Sequence, residues 1–133
     1  MKQELLDQLK AVVKHKFSHA NKIMYNNLRM YIMIPDNVPD EFAPVATAHA
    51  SLACYDKFYQ DLYMREWFEH SFKKVVCKVS TEEFDEMVYL AGFSGVVITE
   101  SNLDNMPVAL AMCPRVTWPY NFVKAKLWKP KKK

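Results

Sequence analysis

The stretch Met30 to Cys54, MYIMIPDNVPDEFAPVATAHASLAC, decides how the chain is read. Met30-Tyr31-Ile32-Met33-Ile34 is an apolar run of strand length, closed by turn residues. Pro35-Asp36-Asn37-Val38-Pro39-Asp40 is dense in residues that favour tight turns. From Phe42 onward Ala43, Ala46, Ala48, Ala50 and Ala53 dominate. Side chains this small let a helix lie close on a sheet. His49 stands in that run as the one strongly functional side chain. The stretch therefore predicts a buried strand, a polar turn and a sheet-packed helix, and the rest of the chain is placed around them.

The 133 residues suit one domain with one core. The composition, 50% hydrophobic and 25% charged, is that of an ordinary globular protein. Both glycines, Gly92 and Gly95, lie in one short segment, which excludes glycine-rich phosphate loops elsewhere. No apolar run reaches the roughly 20 residues of a membrane helix. The N-terminal MKQELLDQLK lacks the continuous apolar region of a signal peptide. These features predict a cytoplasmic protein that does not contact membrane. Cys54, Cys77 and Cys113 have no paired spacing and suit buried, reduced thiols. Of the histidines His15, His19, His49 and His70, only His15 and His19 share helix spacing, and no further ligands accompany them. Neither a metal nor a cofactor is expected.

Charge is segregated along the chain. Before Met30, Lys2, Lys10, Lys14, Lys16, Lys22 and Arg29 face only Glu4 and Asp7, a net +4. From Arg115 on there are seven basic residues and no acid, a net +7. With a total of +3, the segment from Met30 to Pro114 carries −8. Basic ends on an acidic body bear directly on any nucleic-acid role.

In chain order, residues 2–28 carry a helical apolar stripe with lysines opposite, interrupted near Ser18 to Asn21. The strand at Met30 to Ile34 follows, then a helix from Phe42 to Tyr59 with a bend near Asp61. Tyr55, Phe58, Tyr59, Tyr63, Trp67 and Phe68 recur at three- and four-residue spacing and are assigned to the core. Lys73 to Val79 is the second strand. Ser80 and Glu83 have the spacing of a capping box, opening a helix that ends at Gly92. Val96 to Thr99 and Val108 to Met112 are the third and fourth strands, joined by the polar Glu100 to Asn105 and expected to be antiparallel neighbours. A last helix is placed from about Val116 or Pro119 to Leu127, and the lysines after Pro130 read as a solvated end. The pattern predicts an α/β domain with a mixed four-stranded sheet flanked by helices and an extra N-terminal helix. The organisation is then 1–29 as a helical extension, 30–128 as the domain and 129–133 as a basic tail. Sites of open α/β sheets lie beyond the strands' carboxyl ends, here Pro35 to Glu41 and Thr99 to Asn105.

Several segments in this order resemble the type II peptidyl-tRNA hydrolase family. These are Tyr31 to Asp36, Ala46-Thr47-Ala48-His49-Ala50, Phe72 to Val79 followed by Ser80-Thr81-Glu82-Glu83, Val108 to Pro114, and Phe122 to Leu127. The likeness spans about Met30 to Leu127. It implies the family's fold and cleavage of the ester between peptide and tRNA. It also implies lysines at the start of the first sheet-packing helix, a histidine within that helix, and an Asp and a Thr near the last strand pair. His49 matches the histidine. Asp40, Glu41, Phe42 and Ala43 stand where the lysines belong, Glu100 stands in for the Asp, and the Thr position falls on Val108.

Two readings follow. In the first, the chain is a catalytically degenerate member of the fold, a pseudoenzyme acting as a binding protein on tRNA or other RNA through its basic ends, and as a homodimer. In the second, His49 and Glu100 orient a water for hydrolysis of peptidyl-tRNA or a related ester or amide. Candidate binding residues are Asp36, Asn102, Asp104, Lys124, Lys126 and Lys129. RNA affinity depends on lysine and arginine, so the acidic rim of Asp36, Asp40, Glu41, Glu100 and Asp104 opposes it unless the basic ends fold toward that rim.

Overall fold

The computed structural model describes residues 2–10 and 27–131. The continuation of the N-terminal helix through residues 11–26, with His15 and His19, lies outside the described residues, as do Lys132 and Lys133. The chain forms an open mixed sheet of four strands in the order β2-β1-β4-β3. The strands are β1 (Arg29–Pro35), β2 (Lys73–Val79), β3 (Gly95–Glu100) and β4 (Met106–Met112). β1 and β2 are parallel, and β4 runs antiparallel to both β1 and β3. The carboxyl ends of β1, β2 and β3 therefore share one end of the sheet. Among the described residues the α-helices are α1 (residues 2–10), α2 (Ala43–Phe58), α3 (Leu62–Glu66), α4 (Thr81–Ala91) and the short α5 (Tyr120–Val123).

Both faces of β1 are buried, and this is why its sequence is continuously apolar rather than alternating. Met30, Ile32 and Ile34 face the small side chains Ala43, Ala46 and Ala50 of α2, with Cys54, Met64 and Trp67 completing that layer. Tyr31 and Met33 face Phe84, Met87 and Ala91 of α4, with Phe122 of α5. The sheet is thus sandwiched between α2 with α3 on one side and α4 with α5 on the other. Each fully buried Ile or Met contributes about 1.5–3 kcal/mol of transfer free energy.

Two local devices fix α4. Ser80 Oγ accepts from the Glu83 N–H, and Glu83 Oε1 accepts from the Ser80 N–H, both at 3.1 Å. This is the expected capping box. At the other end Gly92 closes the helix at φ 51°, and Gly95 lets the chain enter β3 close to its neighbours. A Cβ on Gly95 would lie 2.9 Å from Leu110 Cδ1, 3.0 Å from Ala91 Cβ and 3.1 Å from Met112 Sδ.

The bend expected near Asp61 is a full break. Asp61 caps a new helix, its Oδ1 accepting from the Met64 N–H at 3.1 Å and from Arg115 Nη1 at 3.3 Å. α3 continues into a π-helical turn, Trp67–Ser71, which ends at Phe72 with φ 55°. Of the aromatics assigned to the core, Trp67 is buried and Tyr55, Phe58 and Tyr63 are half-buried, whereas Tyr59 and Phe68 are exposed. Helical spacing places the rings but not the depth of the surface over them. The three cysteines are free thiols in the core, and burial pushes Cys54 and Cys113 up to about 12 and Cys77 to about 11.

The fourth strand begins earlier than the sequence predicts and includes Pro107. A register shift between Ile98 and Thr99 accommodates the residue that lacks an N–H. The last helix is shorter than expected. It stops at Val123, and the following chain runs extended beside β2, where Cys77 and Leu127 form an antiparallel bridge.

Candidate functional site

The turn after β1 leaves the sheet at its carboxyl end. Asp36 is exposed while its N–H donates to the Val79 carbonyl at 2.8 Å, tying the turn to the end of β2. Asn37 Nδ2 lies 3.6 Å from Met106 Sδ at the start of β4. The loops after β1 and β3 therefore do meet at one end of the sheet. Beyond the Asn37–Met106 contact, no hydrogen bond joins the side chains of the two loops among the described residues. Glu100 Oε1 accepts from the Asn102 N–H at 3.2 Å, a local bond that closes the turn after β3. Asn102 is exposed, and exposed Asp104 turns the chain back at φ 54°. Val108, at the expected Thr position, is buried in the core.

His49 is exposed on α2 and makes no hydrogen bond or ion pair among the described residues. The buried positions Ala43, Ala46, Ala50 and Cys54 define the face of α2 turned to the sheet. On the helical wheel His49 lies about 60° from Ala46 and about 100° from Ala50, at the margin of that face and exposed. No hydrogen bond joins it to Glu100, whose carboxylate is engaged with its own loop.

The lysines behave differently. After α5 the chain is held to β2 by two backbone bonds, from the Lys78 N–H to the Lys126 carbonyl at 3.0 Å and from the Trp128 N–H to the Val76 carbonyl at 2.8 Å. Beyond Trp128 the tail turns toward the β1 turn. Lys78 Nζ donates to the Lys129 carbonyl and lies 3.7 Å from Asp40 Oδ1. The Lys131 N–H donates to Asp40 Oδ2 at 2.7 Å. Lys131, read from the sequence as the start of a solvated end, is exposed and yet tied through its backbone to Asp40. Lys124 and Lys126 lie close enough to Glu83 to favour its charged form, after the larger effect of the hydrogen bonds from Ser80; together these hold its carboxyl below the usual range. Lys78, Lys126, Leu127 and Lys129 line an open groove of about 470 Å³.

No protein-family model matches the chain, and no curated protein matches it either. The site therefore rests on its own chemistry. Among the described residues no group of three or more His, Cys, Asp or Glu is arranged to hold a metal ion, and no helix is long and apolar enough to cross a membrane. What the structure brings together is Lys78, Lys126 and Lys129 around one groove on the β2 edge, with Lys124 near Glu83 and the Lys131 backbone at Asp40. Lys124, Lys126 and Lys129 carried a sequence signal as a basic C-terminal segment. Lys78 and Asp40 did not, because their partnership joins residues from a strand, a turn and the tail.

Proposed function

We propose that the chain is a binding protein with a peptidyl-tRNA hydrolase II-like fold, lacking a working hydrolytic centre, that engages tRNA or other RNA through its C-terminal basic edge. The observation carrying this reading is the antiparallel pairing of the C-terminal segment with β2, which brings Lys126 and Lys129 beside Lys78. The sandwiched mixed sheet with its carboxyl-end turns is compatible with the family's fold. The exposed, unengaged His49 and the locally bonded Glu100 argue against a charge-relay pair.

Lys78 is neutralised by Asp40, which leaves Lys124, Lys126, Lys129 and Lys131 free to meet phosphates. Four contacts to a single strand give a log–log salt slope of about −2.8, roughly a 50-fold loss of affinity from 50 to 200 mM salt. Removing two of them by Lys126→Ala with Lys129→Ala is expected to halve the slope to about −1.4. RNA binding measured against salt tests this, and an unchanged slope in the double variant rejects the basic edge as the interface. In parallel, purified protein is expected to leave peptidyl-tRNA uncleaved. Turnover that disappears in His49→Ala would establish the hydrolase reading instead.

A further inference from the structure

We infer that the groove lined by Lys78, Lys126, Leu127 and Lys129 receives an unpaired nucleotide, its base against the groove wall and its phosphate at the Lys126 and Lys129 ammonium groups. This rests on the RNA reading above and adds to it a preference for single-stranded over base-paired segments.

The groove is mostly carbon although three of its four lining residues are lysines. Leu127, 63% exposed, lines it, and with three lysines as its other lining residues a mostly carbon surface is what their methylene stems supply. Lys78 belongs to the wall more than to the rim, since its ammonium is committed to the Lys129 carbonyl and to Asp40. Its Nζ also sits 5.0 Å from the centre of the Trp128 ring, which braces the stem. Lys126 and Lys129 carry the uncommitted charges. An apolar slot with cations at its mouth fits a ligand with a flat apolar face and an anionic group beside it. A base with its own phosphate has that form, whereas a duplex keeps its base faces stacked inside. The volume is in the range of roughly 300–1,000 Å³ typical of small-ligand clefts. The floor is firm, because Lys126 and Trp128 are bonded through their backbones to β2. The groove also opens on the β2 edge between Lys126 and Lys129, so a strand meeting those cations passes over it.

The test compares four probes of equal charge by fluorescence anisotropy on the full chain, the duplex having half as many base pairs as the single strand has nucleotides and being expected to bind no better than the abasic strand. They are a single-stranded RNA, an abasic oligonucleotide, a blunt RNA duplex and an acidic peptide. The intact single strand is expected to bind about tenfold more tightly than the abasic strand, the scale of covering one exposed leucine side chain. Leu127→Ala is expected to bring that ratio close to one while leaving the salt slope unchanged. Leu127 is exposed, so circular dichroism of the variant should match the parent. Equal affinity for intact and abasic strands, or a ratio that Leu127→Ala does not alter, overturns the groove proposal while a steep salt slope still upholds the RNA reading. Tighter binding of the acidic peptide than of any RNA overturns it in favour of a protein partner. Absence of salt-dependent binding to every nucleic acid overturns both.

Discussion

Replacing Asp40 by Asn tests whether this carboxylate restrains the basic edge. Asp40 has two engagements. One oxygen accepts from the Lys131 N–H at 2.7 Å, and the other is buried without a hydrogen bond, 3.7 Å from Lys78 Nζ. An Asn side chain keeps an oxygen for Lys131 and puts an amide NH₂ where the orphan oxygen was. The ammonium of Lys78 then loses its counter-charge while keeping the Lys129 carbonyl, so its charge becomes available to a phosphate. The cost in stability is small: the two side chains are 22% and 29% exposed, and such pairs contribute up to about 1 kcal/mol. The gain in binding is larger. A fifth available cation steepens the single-strand salt slope from about −2.8 to about −3.5 and tightens binding about fivefold at 0.1 M salt. Anisotropy titrations across a salt series measure both. Asp40→Ala, which also removes the acceptor for Lys131, should show the same slope with a looser tail. Unchanged or weaker binding in Asp40→Asn, with the slope of the parent, would refute the idea that Lys78 is a restrained member of the basic edge.

Three further outcomes follow from the fold. Gly95→Ala drives a methyl into Leu110, Ala91 and Met112 at 2.9–3.1 Å and should destabilise by about 1–3 kcal/mol in denaturant unfolding; no loss would mean that α4 can move away from β3 freely. Ser80→Ala removes both the cap and part of what lowers the Glu83 pKa, so stability near neutral pH should fall by about 1 kcal/mol. Glu83's contribution is present above its unfolded value of 4.5 and is lost as the pH falls through its lower folded value, so the variant should show a weaker acid limb, read by NMR titration of Glu83. The thiols of Cys54, Cys77 and Cys113 should resist alkylation at pH 8 until the protein is unfolded. Their folded pKa values of about 11–12 lie above the unfolded 9.0, so stability should hold below pH 9 and decline as the pH rises past it.

The elements legible in the sequence were those whose signal is local. The strand Lys73 to Val79, the Ser80–Glu83 box, the stop at Gly92 and the alanine face of α2 each depend on residues within a few positions of one another. The pairing of β3 with β4 was legible from the shortness of the polar link. What escaped was set by partners far away in sequence. The segment after Val123 has a helix-compatible pattern, but the free edge of β2 offers its backbone hydrogen bonds, and Leu127 is taken up opposite Cys77. The tail after Trp128 has the composition of a solvated end, yet Asp40 and Lys78 hold it across a sequence separation no local pattern spans. For His49, the alanine run suggested a histidine enclosed by methyl groups. The helix instead turns Ala46 and Ala50 inward and leaves position 49 outside.

The resemblance to the hydrolase family calls for lysines at the start of α2, and the chain places Asp40 and Glu41 there. In space a cation is not far away: the Lys78 ammonium from β2 reaches Asp40, and so does the neutral backbone N–H of Lys131. The polarity of the place is inverted, with an anion on the helix side receiving one cation from the strand and one neutral N–H from the tail. Restoring a lysine in sequence therefore should not restore the chemistry. Asp40→Lys would set two ammonium groups against each other near 3.7 Å and leave the Lys131 N–H without its acceptor. An attraction of up to about 1 kcal/mol becomes a repulsion of similar size, and a hydrogen bond worth about 1 kcal/mol is lost. We expect Asp40→Lys to unfold at lower denaturant than Asp40→Asn, with the tail more open to tryptic cleavage after Lys131, and to leave peptidyl-tRNA uncleaved. Equal stability of the two variants would mean that the tail is not held by this contact. Cleavage in Asp40→Lys, lost again on adding His49→Ala, would mean that the hydrolytic centre lacks only that one charge.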